Sequence, residues 1–184
     1  MGTVHSLAPG FLIAVPQLQD PNFRQSVVLL LEQSLEGTLG VVINRESPLL
    51  LKDLCRDHDI PYSGDPEKRV RRGGPVQPEQ GLVIYGAEHE DPEGRLVADD
   101  VHVSASTSTL TRLCGLATSR FQCYAGYAGW GPGQLEREIQ EGSWILRPVD
   151  PRLVFDRSPE EVWIRSLRDI GLDPGAIVPG AVEA

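Results

Sequence analysis

With 184 residues, of which 40% are hydrophobic and 23% charged, the chain has the size and composition of one compact domain with a sizeable core, which excludes disorder as the starting point. Its formal net charge of -9 argues against general nucleic-acid binding, which depends on Lys and Arg neutralising phosphates. No apolar run approaches the roughly 20 residues that span a bilayer, and no basic segment precedes Phe11–Val15, so neither a membrane span nor a secretory signal is expected.

Phe11–Val15, ended by Pro16, reads as a first strand. Gln19-Asp20-Pro21-Asn22 is a turn cluster. Ser26–Leu31 is too continuously apolar for a strand with one wet face and is expected to be buried on both. Glu36-Gly37 then turns the chain into Leu39–Asn44, closing a hairpin. Ser47-Pro48 has the form of a helix start, a capping Ser followed by Pro at the first helical position. Leu50, Leu51, Leu54, Cys55 and His58 follow it at helical spacing. Residues 60–67 are polar and turn-rich, and Lys68–Arg72 is the one basic cluster in the chain.

Strands are expected over Gly81–Ala87 and Arg95–Val103, with an acidic loop between them. Ser106, Thr107 and Ser108 can each cap a helix carrying Leu110, Leu113, Cys114 and Ala117. Phe121–Tyr127 is a strand that runs into a glycine-rich turn. A short helix after Pro132 ends at Gly142, and Trp144–Leu146 is one more strand. Ser158-Pro159-Glu160-Glu161 matches a capping box for a last helix reaching Ile170, with Gly171 as its C-cap. Strands and helices mix without strict alternation, which favours an α+β (mixed α/β) domain over a doubly wound one. No repeat or linker breaks the chain, so residues 1–184 read as a single domain with loose ends at about 1–6 and 174–184.

The stretch Tyr124–Ile139 is the most distinctive. Gly126, Gly129, Gly131 and Gly133 surround Trp130 just before a helix start, where unpaired N–H groups can attract anions. It is neither Gly-x-Gly-x-x-Gly nor a P-loop, however, and Glu136 and Glu138 just inside the helix oppose an anion. The stretch reads as a strand–turn–helix corner closed around Trp130. No Gly-x-Ser-x-Gly occurs. Cys55, Cys114 and Cys123 form no Cys-x-x-Cys pair and read as reduced, inert thiols. His89-Glu90-Asp91 lacks the second His of a zinc motif. Asp100 and His102 alternate so as to share a strand face, but two ligands do not make a site. No catalytic residue, metal or cofactor is assigned. What remains is a pair of loops: Arg71, Arg72, Gly73, Gly74 and Pro75 in one, and Tyr127, Gly129, Trp130, Gly131 and Gly133 in the other. If they meet, a pocket between them is the expected ligand or partner site.

Phe11–Pro16, Asp20–Val28, Gly40–Arg45, Gly73–Val76 and Gly126–Glu138 occur in one order, within a span from about Leu7 to Gly171-Leu172-Asp173 that also holds Trp144, Phe155 and Trp163. In these segments the chain resembles the AlgH/YqgE family of small bacterial proteins. The resemblance implies a single cytoplasmic α/β domain, its branched mixed sheet partly curled into a barrel and flanked by helices. It brings no catalytic residue set; one member's name implies transcriptional control of alginate production. Related proteins commonly carry Leu-His where this chain has Ile84-Tyr85.

Two readings of function follow. One is a non-enzymatic regulatory or binding protein that recognises a protein or small ligand and affects transcription indirectly. The other is a nucleotide- or phosphate-ligand-binding protein or enzyme using the 68–76 and 126–133 loops, with Arg69, Arg71 and Arg72 on phosphate. Direct DNA binding is disfavoured, because the chain lacks a recognisable helix-turn-helix and its basic cluster is short.

Overall fold

The computed structural model describes residues 5–88, 91–116 and 120–175. In order, the chain forms β1 (Gly10–Ala14), β2 (Val27–Ser34), β3 (Gly37–Val42), β4 (Glu46–Leu50), α1 (Leu51–Asp57), β5 (Arg69–Arg72), β6 (Val76–Tyr85), β7 (Arg95–Ala98), β8 (Val101–Ser104), α2 (Thr107–Cys114), β9 (Phe121–Trp130), α3 (Gln134–Gln140), β10 (Trp144–Arg147), α4 (Pro151–Phe155) and α5 (Pro159–Asp169). The strands make one ten-stranded sheet ordered β10-β1-β2-β3-β9-β6-β8-β7, with β5 and then β4 branching from β9. This single α+β domain has its largely antiparallel sheet curled into a half-barrel.

The branch lies within β9. One edge of β9 pairs with β6 over Phe121–Ala125 and, after a register shift, again at Tyr127. On the other edge, Tyr124 and Ala125 pair in parallel with Arg71 and Arg72 of β5, and then Ala128–Trp130 pair antiparallel with Thr38–Gly40 of β3. The partner changes at Gly126, whose φ of 78° favours glycine. At the same point the Val42 N–H donates to Gly73 O and the Gly73 N–H donates to Ala125 O, each at 2.8 Å.

Alternation along the strands supplies two buried faces. Phe11, Ile13, Val27, Leu29, Val41 and Ile43 point towards Leu153, Val154, Val162, Trp163 and Leu167 of α4 and α5. Leu12, Ala14, Val28, Leu30 and Val42 point the other way, to Trp130, Trp144 and Leu135 of α3. This is why Val27–Leu30 is apolar at every position. On the far half of the sheet, α1 and α2 cover Val70, Val83, Tyr85, Phe121 and Cys123.

Local signals and structure part in a few places. Ser47-Pro48 does not open a helix. Residues 46–50 pair with β5, the Ser47 hydroxyl donates to Val70 O at 2.6 Å, and α1 begins at Leu51 with no side-chain cap. Arg95–Val103 is not one strand, because Asp100 at φ 65° turns it into the β7–β8 hairpin. Ser158 caps α5 without a side-chain hydrogen bond, so the capping box is not formed, although the helix starts where expected. The five-residue α4, with Asp150 as its cap and Pro151 at the first helical position, was not anticipated. Just after the expected loose N-terminus, the Leu7 N–H donates to Gln33 Oε1 at 2.6 Å. Ala117 and most of the expected loose ends lie outside the described residues.

Candidate functional site

The two glycine loops do meet, but as backbone against backbone. A Cβ on Gly73 would lie 2.3 Å from Gly126 O, and one on Gly74 would lie 2.2 Å from the Tyr127 carbonyl. No ligand-sized space separates them there. Arg71 is only 6% exposed, and its Nη1 donates to Ile43 O at 3.1 Å and Val154 O at 3.5 Å. Its charge therefore ties the end of β3 to α4 and does not face a phosphate. Arg72 and Pro75 remain exposed. Gly131 and Gly133 are exposed in the turn before α3, where the Gly131 N–H donates to Gln134 Oε1 at 3.0 Å. This bond closes the turn ahead of α3, whose N-cap Gly133 makes no side-chain cap hydrogen bond.

Trp130 is anchored by a contact the sequence did not reveal. Glu138 Oε2 accepts the indole N–H of Trp130 and that of Trp144, both at 2.9 Å, while Oε1 accepts from Gln134 Nε2 at 3.1 Å. Phe23 stacks on Trp130 at 5.8 Å and meets Trp144 edge-on at 5.6 Å. The expected corner around Trp130 exists, with a carboxylate at its centre.

Concavity is found beside that corner. Half-buried Tyr127 stands between two hollows that share Glu32, Leu39 and Tyr127 and so form one trough across β2, β3, β9, β6 and β8. One hollow, of about 440 Å³, takes in Gly37, Val76, Gly129 and Trp130. The other, of about 410 Å³, takes in Leu31, Leu82, Glu93, Arg95 and Val103. Leu39 is 42% exposed in the trough. A separate cavity of about 260 Å³ lies between α1, α2 and the sheet, walled by Leu54, Ile60, Val70, Val83, Leu110 and Cys123. Of the ten residues singled out from the sequence, Tyr127, Gly129 and Trp130 therefore share a concave surface. Gly73 and Gly74 build the branch behind it.

The titratable groups serve structure. Cys55 and Cys114 bring their sulfurs to 3.7 Å, and all three cysteines are buried. Burial raises all three thiol pKa values, that of Cys114 to about 12, so at neutral pH they are protonated and weakly nucleophilic. A thiol-specific disulfide reagent at pH 8 is expected to label none of them until denaturant is added. One fast-reacting thiol in the native protein would contradict this burial. Asp91 accepts from Thr109, which is the main reason its carboxyl lies below the ordinary range, and pairs with Arg112 at 3.2 Å. Asp100 does not share a strand face with His102. It sits in the β7–β8 turn, accepting the Ala87 N–H and pairing with Arg120 at 3.1 Å, while His102 stacks on Tyr85. Among the described residues no group of three His, Cys, Asp or Glu side chains is placed to hold a metal. His89 and Glu90 lie outside them. Nor, among them, is any helix long and apolar enough to cross a membrane.

Comparison with known proteins places these features in a family. Residues 11–175 match the AlgH-like family model. A UPF0301 protein of Myxococcus xanthus is 42% identical over 176 residues, covering 95% of this chain and 97% of that one. A UPF0301 protein of Anaeromyxobacter sp. is 38% identical over 184 residues, with 95% and 93% covered. The solution structure of the AlgH protein from Pseudomonas aeruginosa superposes with a TM-score of 0.75 at 30% identity, covering 100% of this chain and 99% of that one. A Corynebacterium diphtheriae protein shares the fold, with a TM-score of 0.75 at 23% identity over 92% of this chain and 90% of its own. None of these names states an activity. By sequence over nearly its whole length, and by fold, the chain belongs to the AlgH-like family.

Proposed function

We propose that the protein is a non-enzymatic binding module whose recognition surface for a protein partner is the trough around Tyr127. The observation that carries this reading is the placing of Tyr127 and Leu39 where two hollows join, accessible and held on rigid strands. A large amphipathic ring beside an exposed aliphatic side chain, in a concavity, is the composition of an interface anchor. Glu32, Glu93 and Arg95 give the trough a polar border. We place this activity in the bacterial cytoplasm, with any effect on transcription passing through the partner. A net charge of -9 and the enclosure of Arg71 within the only basic cluster both disfavour direct contact with DNA.

Tyr127→Lys and Leu39→Asp test the reading. Each is expected to weaken retention of protein partners from a native lysate at least about tenfold, the size of a single anchor residue's contribution, with little change in melting temperature. If both variants retain the same proteins as the parent at the same yield, the trough is not the recognition surface.

A further inference from the structure

Three arginines from distant parts of the sequence come together where the chain leaves β3. Asn44 holds the loop before β2: its Oδ1 accepts the Val27 N–H and its Nδ2 donates to Gln25 O, both at 2.9 Å. Gln25 is kept at φ 55°, a left-handed backbone that side chains other than glycine rarely adopt. Next along the chain, Arg45 Nη2 donates to the Arg24 carbonyl, and Arg45 O accepts the Arg72 N–H at 2.8 Å. Arg24, Arg45 and Arg72 thus leave adjoining segments of backbone.

Among the described residues, no ion pair compensates their charges. Arg56, Arg112, Arg120, Arg147, Arg152 and Arg165 each pair with an Asp. Among the described residues, no carboxylate lies within 4.0 Å of the guanidinium of Arg24, Arg45 or Arg72. Arg45 is half-buried; burial first, then the charges of Arg24 and Arg72, hold its pKa below the ordinary value. A guanidinium offers five donors, and a multi-oxygen anion accepts them in pairs while cancelling the mutual repulsion.

We propose that Arg24, Arg45 and Arg72 form a binding site for a small multi-oxygen anion, the phosphoryl or carboxylate head of a small molecule. Arg45 also borders a hollow of about 420 Å³ that Trp163 and Ile164 of α5 help to line, together with Glu46 and Glu160. Those carboxylates confine the anionic head to the arginine side and leave the hollow for an uncharged body. The site uses none of the residues of the Tyr127 trough, so either assignment can fail without the other.

Calorimetric titration of the full chain at low ionic strength with pyrophosphate, orthophosphate and citrate tests the site. Saturable binding, weakening with salt, is expected. Arg72→Gln is expected to weaken it at least about tenfold, the loss of one charge-assisted pair of hydrogen bonds, whereas Arg137→Gln on α3 leaves it unchanged. Arg24→Gln and Arg45→Gln are expected to weaken it comparably, with circular dichroism confirming the fold. Tighter binding of pyrophosphate than of citrate identifies a phosphoryl head, and the reverse order a carboxylate. No saturable binding of any of the three anions overturns the site. So does binding that exposed Arg72→Gln leaves intact, since that variant removes no buried contact.

Discussion

Replacing Glu138 with Ala is expected to destabilise the protein by about 3 kcal/mol. One carboxylate oxygen holds the N–H groups of Trp130 and Trp144, each at 2.9 Å. Removing the acceptor leaves two buried donors unpaired, at roughly 1–3 kcal/mol each. Both indoles are almost fully buried, so water cannot take over fully at either. Glu138 is itself half-buried, which brings the sum down to about 3 kcal/mol, not twice that. For a chain of this length, that lowers the melting temperature by roughly 6–12 °C. The two rings come from β9 and β10, at separate positions in the sheet order, and Phe23 lies against both. Loss of the shared acceptor therefore loosens the whole corner. Glu138→Gln keeps the shape and an oxygen acceptor and is expected to cost only about 1 kcal/mol. Urea unfolding followed by Trp fluorescence measures both. Equal stability of Glu138→Ala and the parent would mean that the indoles find other acceptors.

Where neighbouring residues decide a structure, the sequence was readable. Val27–Leu30 admitted only a strand buried on two faces, and it is shared between two core clusters. Ser106 was a cap by composition, and its hydroxyl accepts the Ser108 N–H at 3.2 Å. Ser47-Pro48 was equally persuasive and misled, because pairing with β5 is a long-range contact, Glu46 with Arg71 and Leu50 with Arg69, that no local pattern encodes. The same divide runs through the candidate site. Tyr127, Gly129 and Trp130 stood out by their glycine-rich setting. Leu39 and Glu32 did not, since their exposure depends on the irregular β2–β3 register between Leu30 and Glu32. Arg71 looked like one more surface charge in a basic run, yet the two middle residues of β5, Val70 and Arg71, are both buried while Arg69 and Arg72 at its ends stay exposed. Arg24 and Arg45 were unremarkable until Asn44 brought their segments together.

Gly74 and Gly129 are expected to respond to the same substitution in opposite ways. Gly74 has φ 153°, and an added Cβ would sit 2.2 Å from both C and O of Tyr127 and 2.6 Å from Ala128 N. Those are backbone atoms of the strand at the centre of the sheet, so no rotamer change relieves the overlap. Gly74→Ala must push β5 away from β9 and break the branch, at about 4 kcal/mol or more, within the range reserved for strained backbone and overpacked cores. At Gly129 the nearest atoms to a Cβ are side-chain carbons of Leu39 and Tyr127, both at 3.9 Å, and the backbone is extended. Gly129→Ala is expected to be neutral or to stabilise by roughly 0.5 kcal/mol through the unfolded chain. Equilibrium unfolding in urea distinguishes the pair, and a Gly74→Ala protein as stable as the parent would show that β5 can shift without loss of the sheet. Because Gly129 also lines the trough, a larger residue there, such as Gly129→Leu, is expected to fill the proposed recognition surface while leaving the branch standing. Gly74→Ala removes surface and fold together. The two glycines, one on each loop, thereby separate what shapes the protein from what its partner touches.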